Sequence, residues 1–403
     1  MTRKLLQINP VVRLNTSTGR IMKEIGELAI AAGWDSYVAY SRARDGEPAH
    51  SSRLVPVGDK LDLALHAVAT RLCDAHGLAS RRATKDFIRR IREIDPDVIH
   101  IHNIHGYFLN YPLLTDYYRE SGKPVVWTVH DCWLYTGHCY YYSAARCNKW
   151  RTGCGHCPQQ RAFPSSWLAD RSARNWRDKQ RAFCGIPNLT IVPVSEWIRR
   201  EMASSFLSAK DFRVIHNGID LETFRPEAAA KAPGTLILGV ASLWHEEKGF
   251  GDLVSLAGRL GPDERLVLVG RMSDEQRGRL PGNVELIERT ENVGKLAALY
   301  ASATAFVNPT WQDNYPTVNL EAIACGTPVV TYRTGGSVES VTEGTGSVVE
   351  QGDVEGMLAC VRQWAAADRA ATRECCRDYA LGHFRKEDCY KNYLQLYENL
   401  ATR

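Results

Sequence analysis

Two carboxylates eight positions apart, Asp313 and Glu321, stand in the stretch Asn308 to Thr334, NPTWQDNYPTVNLEAIACGTPVVTYRT. The chain there reads as a strand end, a polar loop, a short helix and a Gly-Thr-Pro turn into another strand. Thr317 to Cys325 has the composition of one helix, stopped by Gly326 and Pro328. The start of such a helix presents unsatisfied N–H groups and about half a positive charge, which suits a sugar hydroxyl or a phosphate. Asp313, Asn314 and the Tyr315-Pro316 pair lie in the loop facing that end. Glu321, flanked by Leu320, Ala322 and Ile323, is an acid on an otherwise apolar helix and needs a partner. An ordinary turn with Asp313 as a helix cap would use the same residues.

Other reactive groups lie further upstream. Lys248-Gly249 follows a strand and a loop and opens a helix, and Arg271 ends the strand RLVLVGR. His130 closes the strand KPVVWTVHD, and the carboxyl ends of parallel strands are where open α/β sheets place ligand contacts. A neutral imidazole there can hydrogen-bond a hydroxyl without a charge cost. His100, His102 and His105 lack a Cys or carboxylate to complete a metal set, and Asp95-Pro96-Asp97 reads as a structural Pro turn. Cys139, Cys147, Cys154 and Cys157 are spaced C-x7-C-x6-C-x2-C, with His138 and His156 as alternative ligands and Cys132 as a spare thiol. They suit one structural zinc, worth on the order of 10 kcal/mol of local folding energy to a segment with little apolar periodicity; four free thiols are the other reading.

These groups need a scaffold, and 403 residues are too many for one usual core, so two domains are expected. The opening reads as a βαβ unit: a strand over Lys4 to Val12, a loop NTSTGR with Gly19 and Arg20, a helix from Ile21 to Ala32, and a strand over Asp35 to Tyr40. That loop lacks a full Gly-x-Gly-x-x-Gly, which disfavours a dinucleotide enzyme. Leu61 to Glu93 reads as helices, with Arg81, Arg82, Lys85, Arg89, Arg90 and Arg92 among apolar residues. This is either a face for an anionic membrane or a packed helix with a solvated basic side. NLTIVPVS is the last strand of the first half, AAAKAPGT the hinge, and the second half repeats the strand-helix alternation from Thr235. A net charge of +4 is too small to argue for nucleic acid, and no apolar run is long enough to span a bilayer. The N-terminus reads as a strand rather than a signal peptide, so a cytoplasmic protein is expected, and twelve cysteines there point to thiols or metal rather than disulfides.

Taken together, the Asp313-x7-Glu321 stretch, Lys248-Gly249, TVHD, PDVIHIHN and HNGID followed by F-x-P resemble, in order, the retaining GT-B glycosyltransferases of family 4. That large family includes bacterial exopolysaccharide and lipopolysaccharide enzymes. The resemblance implies two Rossmann-like domains facing a cleft: residues 1–216 on the acceptor side with a Cys-rich insert at 132–160, residues 217–380 binding the nucleotide sugar, and a helix in 381–403 crossing back. It implies His130 and Asp313 at the transferred sugar, Lys248 at the diphosphate, Glu321 at the ribose, and Gly19 and Arg20 on the acceptor side. Asn314, Tyr315, Arg271, Gly335 and Gly336 fall to donor binding, although the two glycines read equally as turn residues. Where the family carries an Arg before the Lys, this chain has Leu243 and Trp244. The implied reaction is metal-independent transfer from a nucleotide-diphosphate sugar to a lipid-linked or oligosaccharide acceptor, with contact at the inner membrane surface. A non-hydrolysing nucleotide-sugar epimerase, which would need dense acid and histidine groups, and a non-catalytic sugar-binding scaffold are the other readings.

Overall fold

The computed structural model describes residues 2–12, 16–43, 50–226 and 234–402. These form two compact units, one of residues 1–216 with 390–403, the other of residues 217–389. The hinge expected in AAAKAPGT falls mostly at 228–233, outside the described residues.

In the first unit, β1 (Lys4–Ile8), β2 (Asp35–Tyr40), β3 (Arg53–Pro56), β4 (Val98–Ile101), β5 (Val125–Val129), β6 (Leu189–Pro193) and β7 (Asp211–Phe212) make one parallel sheet in the order β3-β2-β1-β4-β5-β6-β7. Every residue of β4, β5 and β6 is buried, as expected for parallel strands covered on both faces. The helices are α1 (Ser17–Ala31), α2 (Lys60–Cys73), α3 (Arg81–Ile94), α4 (Tyr111–Ser121), α5 (Ser172–Cys184) and α6 (Glu196–Ala203). Sequence reasoning missed β7, a two-residue edge strand too short for any periodic signal, and so named β6 the last. It also read Gly19 and Arg20 into a loop. Thr16 instead caps α1, its hydroxyl accepting the Gly19 N–H at 3.2 Å, so both residues stand in the first helical turn.

The Cys-rich segment departs further from expectation. It lacks helical or strand periodicity, yet Trp133, Tyr135, Tyr142 and Trp150 are buried within the main core of this unit. Irregular chain can bury large aromatic rings without a repeating pattern, and these rings bring ample apolar area. The segment is therefore a built-in part of the unit's core.

The second unit repeats the design with β8 (Thr235–Leu243), β9 (Glu264–Arg271), β10 (Val284–Ile287), β11 (Ala305–Asn308), β12 (Val329–Tyr332) and β13 (Gly346–Val349), parallel in the order β10-β9-β8-β11-β12-β13. Around them lie α7 (Phe250–Ala257), α8 (Asp274–Gly278), α9 (Val293–Ser302), α10 (Thr317–Ala324), α11 (Val354–Ala366), α12 (Arg369–His383) and the start of α13 (Lys386–Ala401). From Tyr390 onward α13 belongs to the first unit. There Tyr393 Oη lies 2.9 Å from Thr128 Oγ1 and Tyr397 Oη 2.6 Å from His100 Nδ1.

Candidate active site

In each sheet the chain reverses its direction of growth beside the first strand, between β1 and β4 and between β8 and β11. Ligands of open α/β sheets bind at the carboxyl ends of the strands at such a switch point. Lys248 follows β8 and Asp313 follows β11, and their side chains meet there, Nζ to Oδ2 at 2.6 Å. The two loops are joined along their backbones: the Trp311 N–H donates to the Glu247 carbonyl at 2.9 Å, and Thr310 Oγ1 donates to the same oxygen at 3.3 Å. Gly249, with φ +75°, lies so close to Pro309 that a Cβ would stand 2.2 Å from its carbonyl oxygen. Only glycine allows both the left-handed turn and this approach. Lys248 itself belongs to a short 3-10 turn before α7 rather than to α7.

Asp313 is not a helix cap. Pro316 occupies the N-cap of α10 and offers no side-chain acceptor, and α7 likewise starts at Gly249 without a side-chain cap. Two helix starts in this unit thus keep N–H groups that no cap satisfies, the arrangement that binds anions. The Gly336 N–H donates to the Asp313 carbonyl at 3.3 Å, so the Gly335-Gly336 turn holds the acid loop from behind, and Gly335 takes φ +51° to make that turn.

A buried polar network underlies this turn, and no sequence motif announced it. Asn308 Nδ2 donates to Asn319 Oδ1 at 2.8 Å, and Asn319 Nδ2 donates to Ser337 Oγ at 3.1 Å and Ser340 Oγ at 3.2 Å. Thr331 Oγ1 donates to the Asn308 carbonyl at 2.9 Å. Satisfied networks of this kind hold their members in single rotamers. Glu321 is buried on α10, and its expected partner is Tyr300 of α9, whose hydroxyl donates to Oε2 at 3.2 Å. Asn314 and Tyr315 are buried within the loop, whereas Arg271 is exposed at the end of β9. At the family's Arg positions, Leu243 is exposed and Trp244 buried, and His245 pairs with Glu247 at 2.6 Å.

In the first unit His130 lies past the end of β5, and its Nε2 is 3.2 Å from His102 Nδ1. His102 Nε2 in turn is 3.0 Å from Gln7 Oε1 on β1, so the chain of contacts crosses the β1/β4 switch point. Burial depresses the His130 pKa to about 4 and the His100 pKa to about 3, and pushes His102 well down, so these rings are neutral near pH 7. His105 Nε2 meets Asp131 Oδ2 at 2.9 Å, and His138 Nδ1 meets the buried Asp74 at 2.6 Å. Histidines therefore gather at this unit's interior more densely than their spread in the sequence implied.

Burial is the main cause that pushes the Cys139, Cys154 and Cys157 thiols upward in pKa, and neighbouring cysteines, Cys147 among them, add to it. The Gly137 N–H donates to Cys154 Sγ at 3.2 Å. Among the described residues, however, no three His, Cys, Asp or Glu side chains stand as a ready ligand set for a metal ion.

Comparison with known proteins supplies the family. Glycosyltransferase Family 4 matches residues 18–223, and the Glycosyl transferases group 1 family matches residues 234–366. WcaC of Escherichia coli (strain K12), named as a glycosyl transferase of colanic acid biosynthesis, is 24% identical over 368 residues, 87% of this chain and 88% of its own. Sucrose-phosphate synthase from Thermosynechococcus elongatus is similar in structure, with TM-score 0.70 at 18% identity over 99% of both chains. Anabaena HepE, solved in complex with UDP and glucose, has TM-score 0.67 at 14% identity over all of both chains. The two-sheet α/β architecture expected for GT-B is shared with these solved structures. With the first unit matched over residues 18–223 and the second over 234–366, the chain belongs to Glycosyltransferase Family 4 and is a glycosyltransferase.

Proposed function

We propose that the protein transfers a sugar from a nucleotide-diphosphate donor to a lipid-linked or oligosaccharide acceptor in exopolysaccharide or cell-surface polysaccharide synthesis, with retention of anomeric configuration. The observation that carries this reading is the Lys248–Asp313 pair at the β8/β11 switch point beside a helix start without a side-chain cap. Lys248 and the N–H groups of α10 stabilise the leaving diphosphate, a charge that grows in the transition state. Asp313, relieved of Lys248 by the arriving diphosphate, accepts hydrogen bonds from the sugar. Glu321 receives the ribose hydroxyls in exchange for Tyr300, and Asn314, Tyr315, Arg271 and the Gly335-Gly336 turn complete donor binding. His130 offers a neutral imidazole to a sugar hydroxyl, and Gly19 and Arg20 serve the acceptor. No metal is needed for this chemistry, because the cation and the helix dipoles supply the positive charge. The relatives' names support the setting: WcaC is named for colanic acid biosynthesis, and HepE was crystallised with UDP and glucose.

The test is a thermal-shift titration with UDP-, GDP- and ADP-sugars and the free diphosphates, since a ligand that binds only the native state raises the melting temperature. One nucleotide is expected to raise it strongly, and to do so less in Glu321→Gln, which keeps the side chain's shape. A panel without any shift overturns the donor reading, and an undiminished shift in the variant overturns the ribose assignment.

A further inference from the structure

The loops after β4 and β5 gather aromatic rings at the carboxyl end of the first sheet. Tyr107 follows β4, Tyr140 follows β5 within the Cys-rich segment, and Phe163 joins both from further along the chain. Its ring centre lies 6.1 Å from that of Tyr107 and 5.0 Å from that of Tyr140, edge-to-face in each case. Phe163 is 57% exposed and the two tyrosines are half-buried, so the group reaches the surface. Tyr107 is held there in a left-handed backbone, φ +72°, which is rare for a bulky residue and gathers at functional sites. Its neighbours fix the turn: the Gly106 N–H donates to His76 Nε2 at 3.2 Å, and Arg42 Nη2 donates to the Gly106 carbonyl at 3.4 Å.

Beside the rings lies hydrogen-bonding capacity that the fold does not use. Tyr140 Oη is buried with no hydrogen-bond partner among the described residues. His105, whose ring centre is 4.4 Å from that of Tyr140, meets Asp131 Oδ2 through Nε2 at 2.9 Å, and its Nδ1 has no partner among the described residues. Buried polar groups are normally paired, so a missing partner points to a ligand. With Nε2–H donating to the carboxylate, Nδ1 holds a lone pair and accepts from a hydroxyl.

We infer that these residues form the subsite for a sugar ring of the acceptor: Tyr107, Tyr140 and Phe163 pack against its C–H face, and His105, fixed by Asp131, accepts a hydrogen bond from one of its hydroxyls. The C–H groups on a pyranose face carry partial positive charge and meet the negative face of an aromatic ring, while the hydroxyls need directed acceptors. A bare lipid phosphate has no such face, so the subsite selects a saccharide as the accepting unit. The inference rests on the proposed function in taking the acceptor to the first unit. Asp131 directly follows His130, the residue proposed to meet the transferred sugar, which sets the subsite beside it.

Saturation-transfer NMR on the full chain tests it, with the methyl pyranosides of glucose, galactose, mannose and N-acetylglucosamine as probes. At least one is expected to receive saturation, strongest on the protons of one ring face, and to do so with UDP, GDP or ADP present as well as absent. Phe163→Ala, at an exposed position, and His105→Gln are each expected to weaken that binding at least about threefold, while circular dichroism and the nucleotide-induced melting shift stay unchanged. Saturation of none of the four glycosides, or equal binding by both variants, overturns the proposal. So does displacement of the glycoside by a nucleotide sugar but not by the free nucleotide, because the rings then hold the donor's sugar. The nucleotide-induced melting shift is read separately, so a failed donor site and a failed subsite are told apart.

Discussion

Lys248 and Asp313 form a short ion pair, but Lys248 keeps a third of its side chain open to water. Such a pair contributes only about 0–1 kcal/mol to folding. Its worth lies in charge held ready at one place, and catalysis and stability should therefore separate. Lys248→Ala is expected to lower turnover by roughly 10²-fold or more, the scale of losing one transition-state charge contact, with the melting temperature nearly unchanged. Steady-state kinetics with a melting curve check this, and a fully active variant removes Lys248 from the mechanism. Glu321 was singled out in the sequence as an acid on an apolar helix, Asp313 by its spacing from Glu321, His130 by its place at a strand end, and Lys248 by the family's Lys-Gly. Asn308, Asn319 and Ser337 break no pattern, since amides and hydroxyls are ordinary at strand and helix ends. Their role became visible only through the distances between them.

At the scale of elements, the Cys-rich segment shows how little of a structure composition alone can supply. Its cysteine spacing was legible, whereas its buried aromatic core was not. A structural zinc on Cys139, Cys147, Cys154 and Cys157 remains our proposal for this segment. Burial favours the protonated thiols, with Cys154 pushed up to about 11 and Cys157 to about 12, so a metal has to draw the sulfurs together and displace their protons. Protein purified without chelator is expected to carry about one zinc per chain by elemental analysis and to melt lower after chelation. Zinc-free protein with unchanged melting retires the proposal. The α1 boundary shows the opposite failure: Ser17, Thr18 and Gly19 are turn-forming residue types, but the Thr16 cap recruits them into the helix.

For the whole molecule, the buried histidines of the first unit set a pH limit. His66 and His130 are held down to about 4 and His100 to about 3, in each case mainly by burial, against an ordinary value of 6.5. Above about pH 6.5 they are neutral in both folded and unfolded chains and contribute no pH dependence. Between 6.5 and about 4 the unfolded chain takes up protons that the folded one refuses, so stability falls as pH falls. The expected loss is of the order of a few kcal/mol by pH 5, read as a melting temperature well below that at pH 7. A flat profile over that range would show that these rings are open to protons in the folded protein.

Strand and helix types along most of the chain were legible as local chemistry, whereas the division of labour between two domains and the roles of the charged residues came from the family resemblance. Apolar runs make buried strands, and glycine, proline and capping residues punctuate them. Which strand lies beside which is a different kind of information. The order β10-β9-β8-β11-β12-β13 puts Lys248 against Asp313 across 65 positions of sequence, and the order of the other sheet brings His102 to His130 across 28. Both were settled by tertiary structure alone, because the free energy of a contact depends on where both partners stand, and neither local propensity nor spacing encodes the second partner.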